Sequence, residues 1–311
     1  FAVGSLKLLV ENGYNVVAVV TQPDKPVGRH GSILRASAVK EYALEHGLPV
    51  LQPVKMKDPE FIEQLRSYNA DLQVVVAFRM LPEVVWDMPR FGTFNVHAAL
   101  LPQYRGAAPI NWAVINGETK TGVTTFFLDH NIDTGRIIMQ REFPIPDDAD
   151  VEYVYDGLME LGAGICQDTV DLVISTDGNV PSQPQCEDIE LKAAPKIFKE
   201  TCQIDWHKTA KQIYNFVRGL SPYPGTWTTL ASNSETEKVE ASVMKIFKTA
   251  KTGTNCTSVA PGTLKTENSH LLVATNDEWL DIIELQASGK KRMAARDFLN
   301  GFKHIAEMHM K

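Results

Sequence analysis

The sequence predicts an α/β protein in which a mostly parallel sheet layered with helices is followed by a small antiparallel β-barrel. Three observations carry that reading. Strand-like and helix-like runs alternate through the first half of the 311 residues, the pattern of β-α-β units. The run "DLQVVVAF" is Val-rich on both faces, as a strand covered by helices on both sides must be. Beyond residue 203, short β-like runs follow one another with little helix between them, which suits a barrel.

The elements follow in order. "FAVGSLKLLVENG" has apolar residues at helical spacing and closes on Gly13. A helix at the very start followed by the strand "YNVVAVVTQ" resembles the second half of a β-α-β unit, so a first strand is expected to precede Phe1. Next come the helical "ASAVKEYALEHG", a short "LPVLQ", the helical "DPEFIEQLRSYN" and the strand "DLQVVVAF". A short helix near Pro82–Trp86, the strand "GTFNVH" and a helix around Ile110–Asn116 come after it. "GVTTFFLD" and "RIIMQREFPI" read as a further strand pair, and residues 151–175 as one long helix. Three prolines and weak periodicity then mark a linker. The domain expectation is 1–175 for the α/β domain, 176–202 for the linker and 203–311 for the barrel. That last part opens on the helix "HKTAKQIYNFVRGL", continues through β-like runs at "TWTTLAS", "VEASVMKIFKTAK", "GTLKT", "HLLVATN" and "WLDIIELQ", and closes on a helix near Ala294–Phe302.

Composition narrows the function classes. With 44% hydrophobic and 22% charged residues the chain is ordinary for a globular protein. No apolar run approaches the roughly 20 residues of a membrane-spanning helix. The four cysteines are scattered without a C-x-x-C, which speaks against a disulfide framework or thiolate zinc site and for a reducing cytoplasm. The net charge of −7 is uneven: residues 203–311 carry 14 Lys and Arg against 11 Asp and Glu, and the remainder 17 against 27. A mildly basic tail on an acidic body is the arrangement expected of a tail that meets a polyanion.

Several chemistries find no support. Neither G-x-G-x-x-G nor a phosphate-binding loop is present in the sequence, and no Ser occupies a G-x-S-x-G elbow. In "HIAEMH", His304 and His309 lie five apart rather than at the i, i+4 spacing of a zinc-binding helix, so the stretch reads as a solvated helix end. The informative segment is "FNVHAALLPQYRGAAPINW". Asn95 and His97 are two apart on a strand, so their side chains share one face, at a carboxyl end where open α/β sheets bind ligands. Asp133, in "DHNIDTG" after the strand "GVTTFFL", falls at another such end. An Asn, a His and an Asp converging there suit acyl transfer to an amine. The amide and imidazole donate to the developing oxyanion, and the carboxylate raises the His pKa and assists amine deprotonation. Nothing in this trio requires a metal.

These residues carry a resemblance. "NVHAALLPQYRGAAPINWAVINGETKTGVTTFFLDHNIDTG" resembles the signature region of the folate-dependent formyltransferases, and most closely of those acting on methionyl-initiator-tRNA. "VVTQPDKPVGR", "VVVAFRMLP", "LSPYPGTWT" and "GKKRMAARDFLNG" extend the likeness over nearly the whole chain. The resemblance implies a Rossmann-like first domain and an OB-like second domain. It implies Asn95, His97 and Asp133 as the catalytic trio, 10-formyltetrahydrofolate as donor, and the α-amino group of methionine on initiator tRNA as acceptor. It places the folate against Ala99, Leu100, Leu101 and Pro102, with Phe78, Arg79, Met80 and Leu81 lining the pterin side. It assigns tRNA contacts to Lys25, Arg29 and Arg35 in one loop and to Lys290, Lys291 and Arg292 in the second domain. The implied protein is a cytoplasmic monomer with no metal, DNA or membrane partner. A related formyltransferase or hydrolase acting on a nucleotide-linked amino sugar shares the trio, but has no need of the Lys/Arg loop or basic barrel. Two departures from the family pattern stand out. Ala98-Ala99 replaces Gly-Ser, removing a hydroxyl from the folate turn, and "RHGSIL" replaces a more lysine-rich stretch.

Overall fold

The computed structural model describes residues 1–234 and 240–311. The chain divides into two units, the first of residues 1–106, 121–143 and 156–193 and the second of 107–120, 144–155 and 194–311. In the first, α1 (Ala2–Glu11) ends ahead of Gly13 at φ 78°, a left-handed position that costs glycine no Cβ clash. After β1 (Val19–Val20) comes an exposed hairpin of β2 (Lys25–Val27) and β3 (Ile33–Arg35). α2 (Ala38–Glu45) starts where the Ser37 hydroxyl accepts from the Lys40 amide. β4 (Val50–Leu51) then pairs parallel with β1. The strand expected over residues 14–22 is thus reduced to Val19 and Val20, the two residues for which β4 supplies a partner. α3 (Pro59–Ser67) begins on Asp58 as N-cap with proline at its first position, both favourable for helix entry.

β5 (Gln73–Val76), α4 (Glu83–Trp86) and β6 (Thr93–His97) follow, then β7 (Arg105–Gly106), β8 (Lys120–Phe127) and β9 (Ile137–Pro144), while α5 (Pro109–Ile115), between β7 and β8 in sequence, belongs to the second unit. α6 (Val151–Ser175) has the bounds read from the sequence, and β10 (Ala193–Ala194) ends the run. The main sheet has the order β5-β6-β8-β9; β5 and β6 are parallel and β8 reverses against β6. Strand alternation decides what each face of β6 meets. Val96 and its partner Thr125 face α6, where the Thr125 and Thr169 hydroxyls lie 2.9 Å apart and a Cβ on Gly162 would sit 3.7 Å from Val96. Asn95 and His97, paired with Phe126 and Thr124, face the other way.

In the second unit, α7 (Ala210–Gly219) opens with a capping box between Thr209 and Gln212, satisfying two donors of the first turn. Strands β11 (Thr226–Ser232), β12 (Ser242–Asn255), β13 (Leu264–Glu267), β14 (His270–Ala274), β15 (Glu278–Ala287) and β16 (Met293–Ala294) follow, then α8 (Ala295–Gly301) and β17 (Met308–Met310). The β-run expected from Val239 starts at Ser242; Val239 lies outside the described residues. The antiparallel order β13-β14-β15-β12-β11-β17 almost closes on itself. Met310 donates its N–H to the Gly262 carbonyl at 2.9 Å, and Thr263 bridges His309. Met244, Ile246, Leu271, Leu280 and Leu285 fill the interior together with Ile213 and Val217 of α7. The stretch expected as a solvated helix end is instead one 3-10 turn (Ile305–Glu307) running into β17. Buried Met308 and Met310 flanking His309 have the alternation of a strand, which four residues of helix-like text conceal.

Candidate active site

β5 and β6 run side by side in the same direction, with Val76 opposite Val96, so the segments leaving their carboxyl ends, 77–82 and 98–104, start next to each other. This is where ligands settle in open α/β sheets. His97 is buried, with Nε2 2.9 Å from the Tyr104 carbonyl oxygen. A carbonyl only accepts, so Nε2 carries the hydrogen and donates. Nδ1 is therefore the ring nitrogen left for chemistry, and it faces Asp133 Oδ2 at 3.9 Å. That separation exceeds hydrogen-bond reach and leaves room for a third polar group to approach. Burial pushes the His97 pKa down, opposed by the Asp133 carboxylate and the Tyr104 carbonyl, both of which favour the imidazolium. The imidazole and the buried Phe126 ring lie nearly perpendicular, with centroids 6.3 Å apart. Asn95, half-buried two residues earlier, lies on the same face.

Asp133 sits at φ 56°, a left-handed conformation that costs a non-glycine residue roughly 1 kcal/mol. Its Oδ2 accepts from the Gly106 N–H at 2.9 Å, so the backbone after Arg105 fixes the carboxylate beside His97. Gly135, two residues on, has a plain steric reason. A Cβ there would lie 1.5 Å from the Phe127 carbonyl oxygen.

The turn with the two alanines is held from β8 and β9. Ala99 is fully buried, and the Leu101–Pro102 peptide is cis. Thr124 donates its hydroxyl to the Ala99 carbonyl at 2.6 Å and accepts from the Leu101 N–H at 3.1 Å. Gln140 donates to the Leu101 carbonyl at 2.8 Å and to the Thr124 hydroxyl at 3.0 Å. The Thr124 hydroxyl thereby uses its one hydrogen and both lone pairs. The Ala99 carbonyl and both backbone groups of Leu101 are thus paired within the protein, and the Ala99 side chain is fully buried. A Cβ on Gly122 would come within 2.5 Å of Leu100 and 2.0 Å of the Arg141 carbonyl, which ties β8 closely to the same turn.

The remaining expected residues fall into three groups. Phe78 and Leu81 pack against the cluster of Leu51, Met56, Phe61, Leu65 and Val85. Arg79 donates to the Pro53 and Val54 carbonyls at 2.7 and 2.8 Å, while Met80 is 70% exposed. Lys25, Arg29 and Arg35 share the β2–β3 hairpin, with Lys25 directly opposite Arg35 and the apolar Ile33 and Leu34 also exposed. Like charges directly opposite each other across a strand pair are destabilising, and Lys25 and Arg35 stand in that relation. In the second unit Lys290, Lys291 and Arg292 follow β15; Arg292 stacks over Phe247 at 4.4 Å and pairs with Glu284 at 2.5 Å. Thr124, Gln140, Tyr104 and Gly106 were absent from the sequence expectations, since a strand threonine or a loop backbone atom gives no signal until its partners are known. Cys166 offers no nucleophile, because burial pushes its thiol up to about 12.

Two family models match the chain: "Formyl transferase" over residues 5–170 and "Formyl transferase, C-terminal domain" over 196–303. A methionyl-tRNA formyltransferase of Parabacteroides distasonis is 59% identical over 99% of this chain and 94% of that protein. One from Bacteroides fragilis is 56% identical over 99% and 93%. Among solved structures, WlaRD, a sugar 3N-formyl transferase, superposes with a TM-score of 0.64 over 93% of this chain and 95% of its own, at 19% identity, a likeness of fold alone. The chain belongs to the methionyl-tRNA formyltransferase family.

Proposed function

We propose that this protein transfers the formyl group of 10-formyltetrahydrofolate to the α-amino group of methionyl-initiator-tRNA, in the cytoplasm, for translation initiation. The observation that carries the reading is the arrangement of His97 and Asp133 beside Asn95, in a chain 59% identical to a protein of that name. As the amine adds to the formyl carbon, the carbonyl oxygen gains negative charge. The Asn95 amide donates to it, and so does Nδ1 of His97 in its protonated form. Donors of this kind are each worth roughly 10²–10³ in kcat. Asp133 favours that imidazolium and, as the group with a lone pair free, takes the surplus amine proton, which returns to the folate nitrogen as its bond to the formyl carbon breaks. No metal or covalent enzyme intermediate enters.

The folate is a flat ring system with polar edges, and the segments leaving β5 and β6 are the ones proposed to hold it. Phe78, Leu81, Leu100 and Leu101 supply apolar walls, with Ala99 and Pro102 completing the turn. Lys25, Arg29 and Arg35 on their hairpin, and Lys290, Lys291 and Arg292 in the second unit, are assigned to tRNA phosphates, contacts that position the substrate without reading its sequence. Residues 1–175 are proposed for catalysis and 203–311 for tRNA binding, with 176–202 joining them. The purified protein is expected to formylate methionyl-tRNA and leave a nucleotide-linked amino sugar unmodified when both are offered with 10-formyltetrahydrofolate. Turnover of the amino sugar with unmodified tRNA would replace this reading with the small-molecule one.

A further inference from the structure

We propose that Gln185 is the positioning residue for Asp133, holding it through a hydrogen-bonded ring that also contains Arg105. The proposal rests on the reading that Asp133 takes part in the transfer. Gln185 lies in the segment that the sequence presents as a linker, yet that segment is bound to the first unit. Gln183 forms a backbone bridge with Ile137, and the Gln103 side chain joins the Glu190 carbonyl and the Lys192 amide. Between these anchors, Gln185 Nε2 donates to the Asp133 carbonyl at 2.8 Å and to the Gly135 carbonyl at 2.8 Å. Its Oε1 accepts from Arg105 Nε at 3.1 Å and Nη2 at 2.8 Å, and Nη2 also reaches Glu187 at 3.1 Å. Two carbonyls on one side and a guanidinium on the other fix the orientation of the amide. Both of its hydrogens and both lone pairs of its oxygen are used.

The ring then closes. The residue after Arg105 is Gly106, whose N–H holds the carboxylate of the same Asp133. Arg105 therefore governs both ends of Asp133: its side chain through Gln185 at the carbonyl, and its neighbouring peptide at Oδ2. A left-handed backbone at Asp133 persists only where surrounding contacts over-determine it, and these two contacts do so. Glutamate in place of Gln185 keeps the partner for Arg105 but sets an oxygen against two carbonyl oxygens. Leucine removes all four hydrogen bonds at similar bulk.

The test is a double-mutant cycle on the full-length protein, using Gln185→Leu, Asp133→Ala and the combination. It reads kcat and KM for methionyl-tRNA and 10-formyltetrahydrofolate, with Tm as the measure of folding. Gln185→Leu is expected to lower kcat roughly 10- to 100-fold, the scale of an ångström-level misplacement in a catalytic site, with both KM values near wild type. In the Asp133→Ala background it is expected to cost almost nothing further, because residues that act as a unit are non-additive. An undiminished kcat, or the same loss with and without Asp133, overturns the proposal. If Asp133→Ala itself leaves kcat intact, the reading of Asp133 falls and takes the proposal with it, which is a different result from additivity. Should Gln185→Leu not fold, Gln185→Glu enters the same cycle with the same two outcomes.

Discussion

Asp133→Ala is expected to lower kcat by at least about 10²-fold, the scale of losing a group that handles a proton in the transition state, while KM for the folate stays near wild type. The expectation follows from the state of His97. Its Nε2 hydrogen is committed to the Tyr104 carbonyl, so it donates to an oxyanion only through a protonated Nδ1. Burial opposes that protonated form, and the carboxylate 3.9 Å away favours it. Removing the carboxylate leaves burial less opposed, so the His97 pKa falls further and the imidazolium becomes rarer at any given pH. The imidazole titration followed by NMR should therefore move to lower pH in the variant. Wild-type turnover with an unmoved titration would remove Asp133 from the mechanism.

Gly135→Ala is expected to be the most damaging single-methyl addition near the site. The new Cβ would lie 1.5 Å from the Phe127 carbonyl oxygen and 3.2 Å from the Phe126 ring. Backbone atoms cannot swing aside as a side chain does, so the loop must move. Overpacking of this kind costs about 1–3 kcal/mol and sometimes more. Gln185 holds the Gly135 and Asp133 carbonyls with one amide, so the displacement also carries Asp133 away from His97. A drop in Tm together with a loss of kcat comparable to Asp133→Ala is the expected pair of results. A variant that melts like wild type and turns over normally would show that the loop accommodates the methyl.

Asn95 and His97 were legible as a pair because strand alternation is fixed by backbone geometry, and their place at a strand end follows from the same pattern. α6 was legible to its last residue because 25 residues of helical periodicity leave little room for another register. What held these groups in place was not legible. Thr124 reads as one more β-branched strand residue, and its role exists only once Ala99 and Leu101 are brought against it. Gln185 lies 52 residues from Asp133 in a Pro-rich stretch whose lack of periodicity reads as a linker. The strand expected over 14–22 shrank to Val19–Val20 for a related reason: β propensity is local, whereas a strand also needs a neighbour along its length. β17 was hidden because its three residues follow directly on a 3-10 turn, so neither period had space to declare itself.

Formyl transfer is proposed to take place on the face of β6 that bears Asn95 and His97. The most direct measurement is mass-spectrometric detection of N-formylmethionyl-tRNA after single turnover with formyl-labelled 10-formyltetrahydrofolate, comparing wild type with Asn95→Ala/His97→Ala. Labelled product from wild type, and a rate reduced roughly 10³-fold or more when both donors are gone, is the predicted result. Label on the tRNA at the wild-type rate in the double variant, or none with the wild-type protein, would contradict it.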